Sequence, residues 1–237
     1  RQSAWASKWR RAAPPTKPEG PKITICPLIE LFRIIVLLPA LPGDGQNRAP
    51  YYIAYTTMIG NQMSRLFGPL RQMGYVVRDI EAAMRHWIEV CQVGPWFYVD
   101  KLAIHDFHYK GQPGDPHLSI ALANSGDVQL ELIQQRDTSP TLYQDFLNAG
   151  HEGLQHFSTW PENYDQVYGE ALAAGYTVGQ EANSPRGPFV YFEQEGHPGT
   201  VIEMAELNAP RRVIFDGVRA AAVDWDGTDP IRERWPS

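Results

Sequence analysis

Two glutamates stand inside runs that are otherwise apolar, Glu131 in Val128-Gln-Leu-Glu-Leu-Ile133 and Glu203 in Thr200-Val-Ile-Glu-Met204. Two further residues with ligand atoms open short apolar runs of their own: Gln72 ahead of Met-Gly-Tyr, and His156 ahead of Phe-Ser-Thr. A buried carboxylate without a partner is costly, so a pattern that inserts one twice needs a compensating charge. A divalent cation is the economical choice. The plain alternative is that each glutamate points to water, because strand side chains alternate between faces. Glu131 between Leu130 and Leu132, and Glu203 between Ile202 and Met204, both satisfy it when taken singly. Their symmetric recurrence favours the cation.

The elements that must carry these side chains occur twice in the same order. Gln72 to Asp79 reads as a short strand. Ile80, Ala83, Met84, Trp87, Ile88 and Cys91 then recur at helical spacing, with Asp79 as N-cap and Gly94-Pro95 as the stop. Three β-like runs follow, Trp96 to Tyr109, His117 to Ala123 and Val128 to Gln134, divided by turn-forming residues at Gly111 to Gly114 and Asn124 to Asp127. Thr141 to Ala149 predicts a linking helix. The order then restarts: a strand over Leu154 to Trp160, a helix over Pro161 to Ala174 closed by Gly175, and strands over Tyr176 to Glu181, Phe189 to Glu193 and Thr200 to Ala205. The pattern is an α+β chain of tandem βαβββ modules, 71–135 and 153–206, within a domain over 63–207. A C-terminal helix and tail occupy 208–237. Sheets with one apolar face must bury it, and two that curl toward each other leave a cleft on which equivalent strands converge.

The tandem βαβββ order, the opening Gln72-Met-Gly-Tyr-Val-Val-Arg-Asp79, the restart Leu-Gln-His156-Phe and the ending Gly196-His-Pro-Gly-Thr-Val-Ile-Glu203 resemble the vicinal oxygen chelate superfamily. That group includes glyoxalase I, methylmalonyl-CoA epimerase, extradiol dioxygenases and bleomycin-resistance proteins. The resemblance covers about Leu66 to Leu207 and implies a glyoxalase-like curled mixed β-sheet with a cleft. Carried over position by position, it implies metal ligands at Gln72, Glu131, His156 and Glu203, the set that zinc-type glyoxalase I uses. Such a set suits Zn, Ni, Co, Mn or Mg. The implied activity is that of a lyase or isomerase that abstracts a proton next to a carbonyl of a small organic substrate, through a metal-bound enediolate or enolate. Glu203 is the first choice as base and Glu131 the second.

Other members of the group fit less closely. The glutathione-gripping arginines would fall on Val76 and Glu152, which cannot pair with a carboxylate. A methylmalonyl-CoA epimerase-like role meets an acidic chain, an awkward field for a polyanionic ester. A dioxygenase needs two histidines and a carboxylate on its iron, and only His156 lies at a matching position. His86, His105, His108, His117, His151 and His197 read as exposed or structural, with His117 and His197 nearest to a cleft mouth. Trp96, Phe97, Tyr98, Phe107 and Tyr109 either line an apolar pocket over the metal or pack the β-core or a dimer interface. Only one of Tyr191 and Phe192 can face the cleft, and Arg78 and Arg85 read as surface residues. A non-enzymatic binding module of the bleomycin-resistance type is the rival class.

Charge divides the chain. Residues 1–70 hold nine Lys/Arg against three Asp/Glu, whereas 71–237 hold twelve against twenty-four, for a net charge of −6 overall. An acidic chain does not suit nucleic acid. Residues 1–62 read as a basic, Pro-rich leader that is disordered or non-native, with the native start expected near Met63. Glu30 and Arg33 interrupt the apolar run from Ile23 to Pro42, which argues against a membrane span there. Two cysteines, Cys26 and Cys91, cannot build a disulfide scaffold, so a reducing, cytoplasmic setting is expected. Exposed sheet edges lead to the expectation of a homodimer, with a small-molecule substrate and neither nucleic acid nor membrane as partner.

Overall fold

The computed structural model describes residues 66–236; the expectations for the leader, the native start and the Ile23 to Pro42 run lie outside them. Four helices, α1 (Ile80–Glu89), α2 (Leu142–Asn148), α3 (Tyr164–Ala173) and α4 (Ala209–Ala222), accompany eleven strands. These are β1 (Leu70–Val76), β2 (Trp96–Val99), β3 (His105–Tyr109), β4 (Gln112–Pro113), β5 (Leu118–Ser125), β6 (Val128–Gln135), β7 (Gly153–Thr159), β8 (Thr177–Ser184), β9 (Gly187–Glu193), β10 (Val201–Ala205) and β11 (Ile231–Arg232). They form one mixed sheet in the order β11-β2-β5-β6-β1-β7-β10-β9-β8-β3-β4. Its centre carries the duplication: β1 pairs parallel with β6, β7 pairs parallel with β10, and β1 and β7 join the modules antiparallel. This is the α+β, tandem βαβββ architecture read from the sequence.

Alternation along the strands sorts side chains onto two faces. On one face, Val77, Leu130 and Leu132 pack with Ile80 and Met84 of α1, and Val190, Phe192 and Met204 pack with Val167 and Ala171 of α3. The other face is filled by α2 and α4, whose Leu142, Tyr143, Ile214 and Val218 share a core with Val76, Ile133, Tyr191 and Ala205. The caps are local: the Asp79 carboxylate accepts from the Ala82 amide, Thr141 Oγ1 from Gln144, and Asn208 Oδ1 from Arg211.

Some elements differ from expectation. The Trp96 to Tyr109 run is two strands, because the chain leaves the first module after Val99 and β3 pairs with β8 at the far edge of the second. α1 ends at Glu89, ahead of Gly94-Pro95, where the Val93 amide turns back to the Trp87 carbonyl. α3 starts at Tyr164 rather than Pro161, since the Leu207 amide takes the Pro161 carbonyl and holds it outside the helix. The described sheet ends on the two-residue strands β11 and β4, so the long exposed edges that argued for a homodimer are not found there. Among the described residues no helix is long and apolar enough to cross a membrane.

Candidate metal centre

Four central strands, β6, β1, β7 and β10, set the site by register. Glu131, Gly74, His156 and Val201 are successive partners across one row of the sheet. Gln129, Gln72, Ser158 and Glu203 are partners across the next. Exchanging the modules maps one row onto the other: Glu131 onto Glu203, His156 onto Gln72, Gly74 onto Ser158 and Val201 onto Gln129. The residues between the functional side chains are small, and at one position this is a steric requirement. A Cβ on Gly74 would overlap the His156 imidazole, so glycine there lets the ring lie across β1 toward Glu131.

The result is a cluster of three groups. His156 Nε2 lies 3.5 Å from Glu131 Oε2 and 3.6 Å from Glu203 Oε2, and the ligand atoms all lie within 4.8 Å of one another. The three side chains are 0%, 13% and 9% exposed respectively, so both glutamates face inward and the solvent-facing alternative does not hold. None of the three atoms has a hydrogen-bond partner among the described residues. Ligand atoms about 2.1 Å from one ion lie no more than about 4.2 Å apart, so the two shorter separations fit a shared cation.

Gln72, the fourth expected ligand, is buried and lines the same cavity as the two glutamates. Its amide nitrogen donates to Gln129 Oε1 at 2.8 Å, which leaves its own oxygen as the atom it can offer an ion. His156 is oriented from behind. Its Nδ1 lies 2.7 Å from Gln155 Oε1, an atom that can only accept, so the proton sits on Nδ1 and the Nε2 lone pair faces the carboxylates. A break in register leaves Gln155 without a partner between the Gly74 to His156 and Tyr75 to Leu154 pairs. This bulge lets consecutive side chains, Gln155 and His156, both turn inward.

Burial governs the electrostatics. The Glu131 carboxyl is pushed up to about 8 by loss of water, against a small opposing pull from Arg211. Glu203 is raised to about 7 by burial and by the neighbouring Glu131 charge, with His156 and Arg211 opposing. His156 is lowered to about 4 by burial, which Glu203 only partly offsets. Without an ion, Glu131 and His156 are therefore largely neutral near neutral pH and Glu203 is about half protonated, and a divalent cation would favour the ionised carboxylates and the neutral imidazole it binds.

Of Tyr191 and Phe192 it is Tyr191 that faces the cavity, while Phe192 packs with α3; the remaining lining was not legible as a site in the sequence. Tyr143 of α2 and Tyr191 of β9 share a 2.8 Å hydrogen bond between their hydroxyls, and burial holds both phenols well above their ordinary range. One phenol donates to the other, so the pair keeps one O–H proton to offer the cavity. Tyr191 also stacks edge-on against His156 at 4.8 Å. The C-terminal segment supplies Arg211, Ile214, Phe215 and Trp235 to the lining. The aromatic run takes its core alternative: Trp96 and Tyr98 pack under α1, and Phe97, Phe107 and Tyr109 pack with the other core without lining the cavity. His117 bonds the Asp100 carbonyl and His197 the Thr200 hydroxyl, both outside the cavity. Glu152 pairs with Arg78 at 3.7 Å.

The family model of the glyoxalase/bleomycin resistance protein/dioxygenase superfamily matches residues 71–192, and the chain belongs to that superfamily. No curated protein matches the chain. Solved structures similar to it include a hypothetical protein from Bacillus halodurans C-125, at 16% identity, covering 59% of this chain and 94% of that one with a TM-score of 0.44. Methylmalonyl-CoA epimerase from Mycobacterium tuberculosis is 13% identical over 62% of this chain and 93% of its own, with a TM-score of 0.46. A Streptomyces coelicolor methylmalonyl-CoA epimerase variant in complex with 2-nitronate-propionyl-CoA is 13% identical over 59% and 94%, with a TM-score of 0.43.

Proposed function

We propose that this protein is a metal-dependent lyase or isomerase of glyoxalase-like type, which moves a proton at the carbon next to a carbonyl of a small organic substrate. The observation that carries the reading is the set of three buried atoms, Glu131 Oε2, His156 Nε2 and Glu203 Oε2, turned toward one another without hydrogen-bond partners among the described residues. With the Gln72 oxygen they would hold a divalent ion. Such an ion, when bound, supplies Lewis-acid stabilisation for negative charge on a substrate oxygen. Glu203 takes the proton on its carboxylate, giving up its hold on the ion as it does so, and returns it, and Glu131 is the second carboxylate able to serve. The remaining O–H of the Tyr143 and Tyr191 pair donates to a substrate oxygen, while α4 excludes water from one side of the cleft.

The catalytic unit in this reading is the domain over 63–207 closed by α4 and the C-terminal segment, with residues 1–62 taking no part in the chemistry and a cytoplasmic setting. Metal analysis of the purified protein is the test. A stoichiometric divalent ion, lost in Glu203→Ala, is the expected result. A folded protein that never takes up a divalent ion would overturn the proposal in favour of ligand sequestration, and bound iron with oxygen uptake would favour a dioxygenase.

A further inference from the structure

The cavity over the cluster carries a charge that proton transfer at Glu203 does not explain. Its walls are largely apolar, with Leu102, Ile120, Leu122 and Phe189 among them, yet Arg186 and Arg211 line it as well. Arg211 is satisfied internally: its guanidinium donates to the carbonyls of Gly187, Pro188 and Glu206, which ties α4 to the start of β9. Arg186 is different. Among the described residues its side chain has no hydrogen bond and no ion pair; it lies over the Trp235 ring at 5.2 Å. A half-buried guanidinium without a counter-ion carries a desolvation cost that an aromatic face offsets only in part. Arg211 beside it adds like charge. Held on Trp235, the planar fork keeps its donors open, the arrangement that suits a carboxylate.

We propose that Arg186 is an anion subsite, binding the carboxylate of a small oxo acid whose carbonyl end reaches the Glu131, His156 and Glu203 cluster. The carbonyl half rests on the function proposed above; the carboxylate half stands on Arg186 and Trp235 alone. Size supports a small ligand, because the cavity is about 80 Å³, below the roughly 300–1,000 Å³ of pockets that enclose drug-sized molecules. The local pair of guanidiniums also gives an acidic protein one positive corner toward which an anion is drawn.

The test compares levulinate with hexane-2,5-dione, which differ only in carrying a carboxylate or an acetyl group at one end, by calorimetry on the full-length, metal-loaded protein. Metal content is measured on the same samples. Wild type is expected to bind levulinate at least about tenfold more tightly than the dione, the size of one charge-assisted hydrogen bond. Arg186→Gln should abolish that preference with dione binding and metal content unchanged, and Arg186→Lys should retain part of it. Undiminished preference in Arg186→Gln, no preference in wild type, or no levulinate binding would each overturn the subsite. A protein that holds no metal yet loses levulinate binding in Arg186→Gln would keep the subsite and sink the metal-dependent function, so the two failures are separable.

Discussion

Read across the sheet, the row Glu131, Gly74, His156, Val201 and the row Gln129, Gln72, Ser158, Glu203 are one design run in opposite directions. The carboxylates are the same in both halves; the residues that accompany them are not. The half that offers an imidazole needs a bare glycine beneath it and a glutamine behind it, because the rigid ring must lie across β1 with one nitrogen already bonded. The half that offers an amide tolerates a serine beneath it and uses Gln129 to hold the amide nitrogen away. An imidazole and an amide at matched positions thus require unequal support from the same backbone.

The largest break in this comparison should come from making the halves alike. His156→Gln leaves two amides and no imidazole, and divalent-ion affinity, followed by competition with a chelator, should fall by more than about a hundredfold, beyond the 10–100-fold typical of lost supporting groups. Gly74→Ala attacks the same side chain from below. Overpacking against the ring should lower unfolding free energy by about 1–3 kcal/mol in denaturant titrations, whereas Ser158→Ala in the other half should cost less than about 1 kcal/mol. Equal costs would show that the close approach at Gly74 is relieved elsewhere.

Removing the ion sharpens the comparison through pH. Glu131 and Glu203, raised to about 8 and about 7, are more easily protonated folded than unfolded. Their contribution is present below about 4.5 and is lost as pH rises through 7 and 8. His156, lowered to about 4, works the opposite way, with its contribution present above about 6.5 and lost as pH falls through 4. Between pH 6.5 and 8 only the carboxylates act, so the metal-free protein should lose on the order of 1–2 kcal/mol across that window. Bound ion should flatten or reverse the loss, as chemical denaturation with and without chelator would reveal. Gln155→Leu should weaken ion affinity by about tenfold, by freeing the His156 tautomer. The smallest effect belongs to Gln129→Val, which copies Val201 into the other half and should shift affinity by a factor of about three.

The repeat was legible because its signals are local: an N-cap at Asp79, helical spacing after it, and a carboxylate recurring in matched strands. Gln72, Glu131, His156 and Glu203 could be named because the duplication pairs them. Tyr191 was within reach, since it lies opposite Glu203 in an antiparallel pair, and partners on adjacent strands share a face. Tyr143, Arg186, Arg211 and Trp235 carried no such mark. They come from a linking helix, a hairpin and the C-terminal segment, and no periodicity in their own stretches says which of their faces meets the cleft. The β3 and β4 hairpin was unreadable for a related reason: pairing with β8 joins residues roughly seventy positions apart in the chain.

Alternation and helical spacing are properties of neighbouring residues, so the sequence alone determined the two modules, the strands that carry the carboxylates and the four candidate ligands. Whether those carboxylates met water or one another depended on strand order and register, which place Gly74 beneath His156 and bring the halves into contact. Only the tertiary structure decided that, together with the helices that close the cleft and the Arg186 guanidinium on its wall, because burial is set by what packs above a residue and not by what precedes it in the chain.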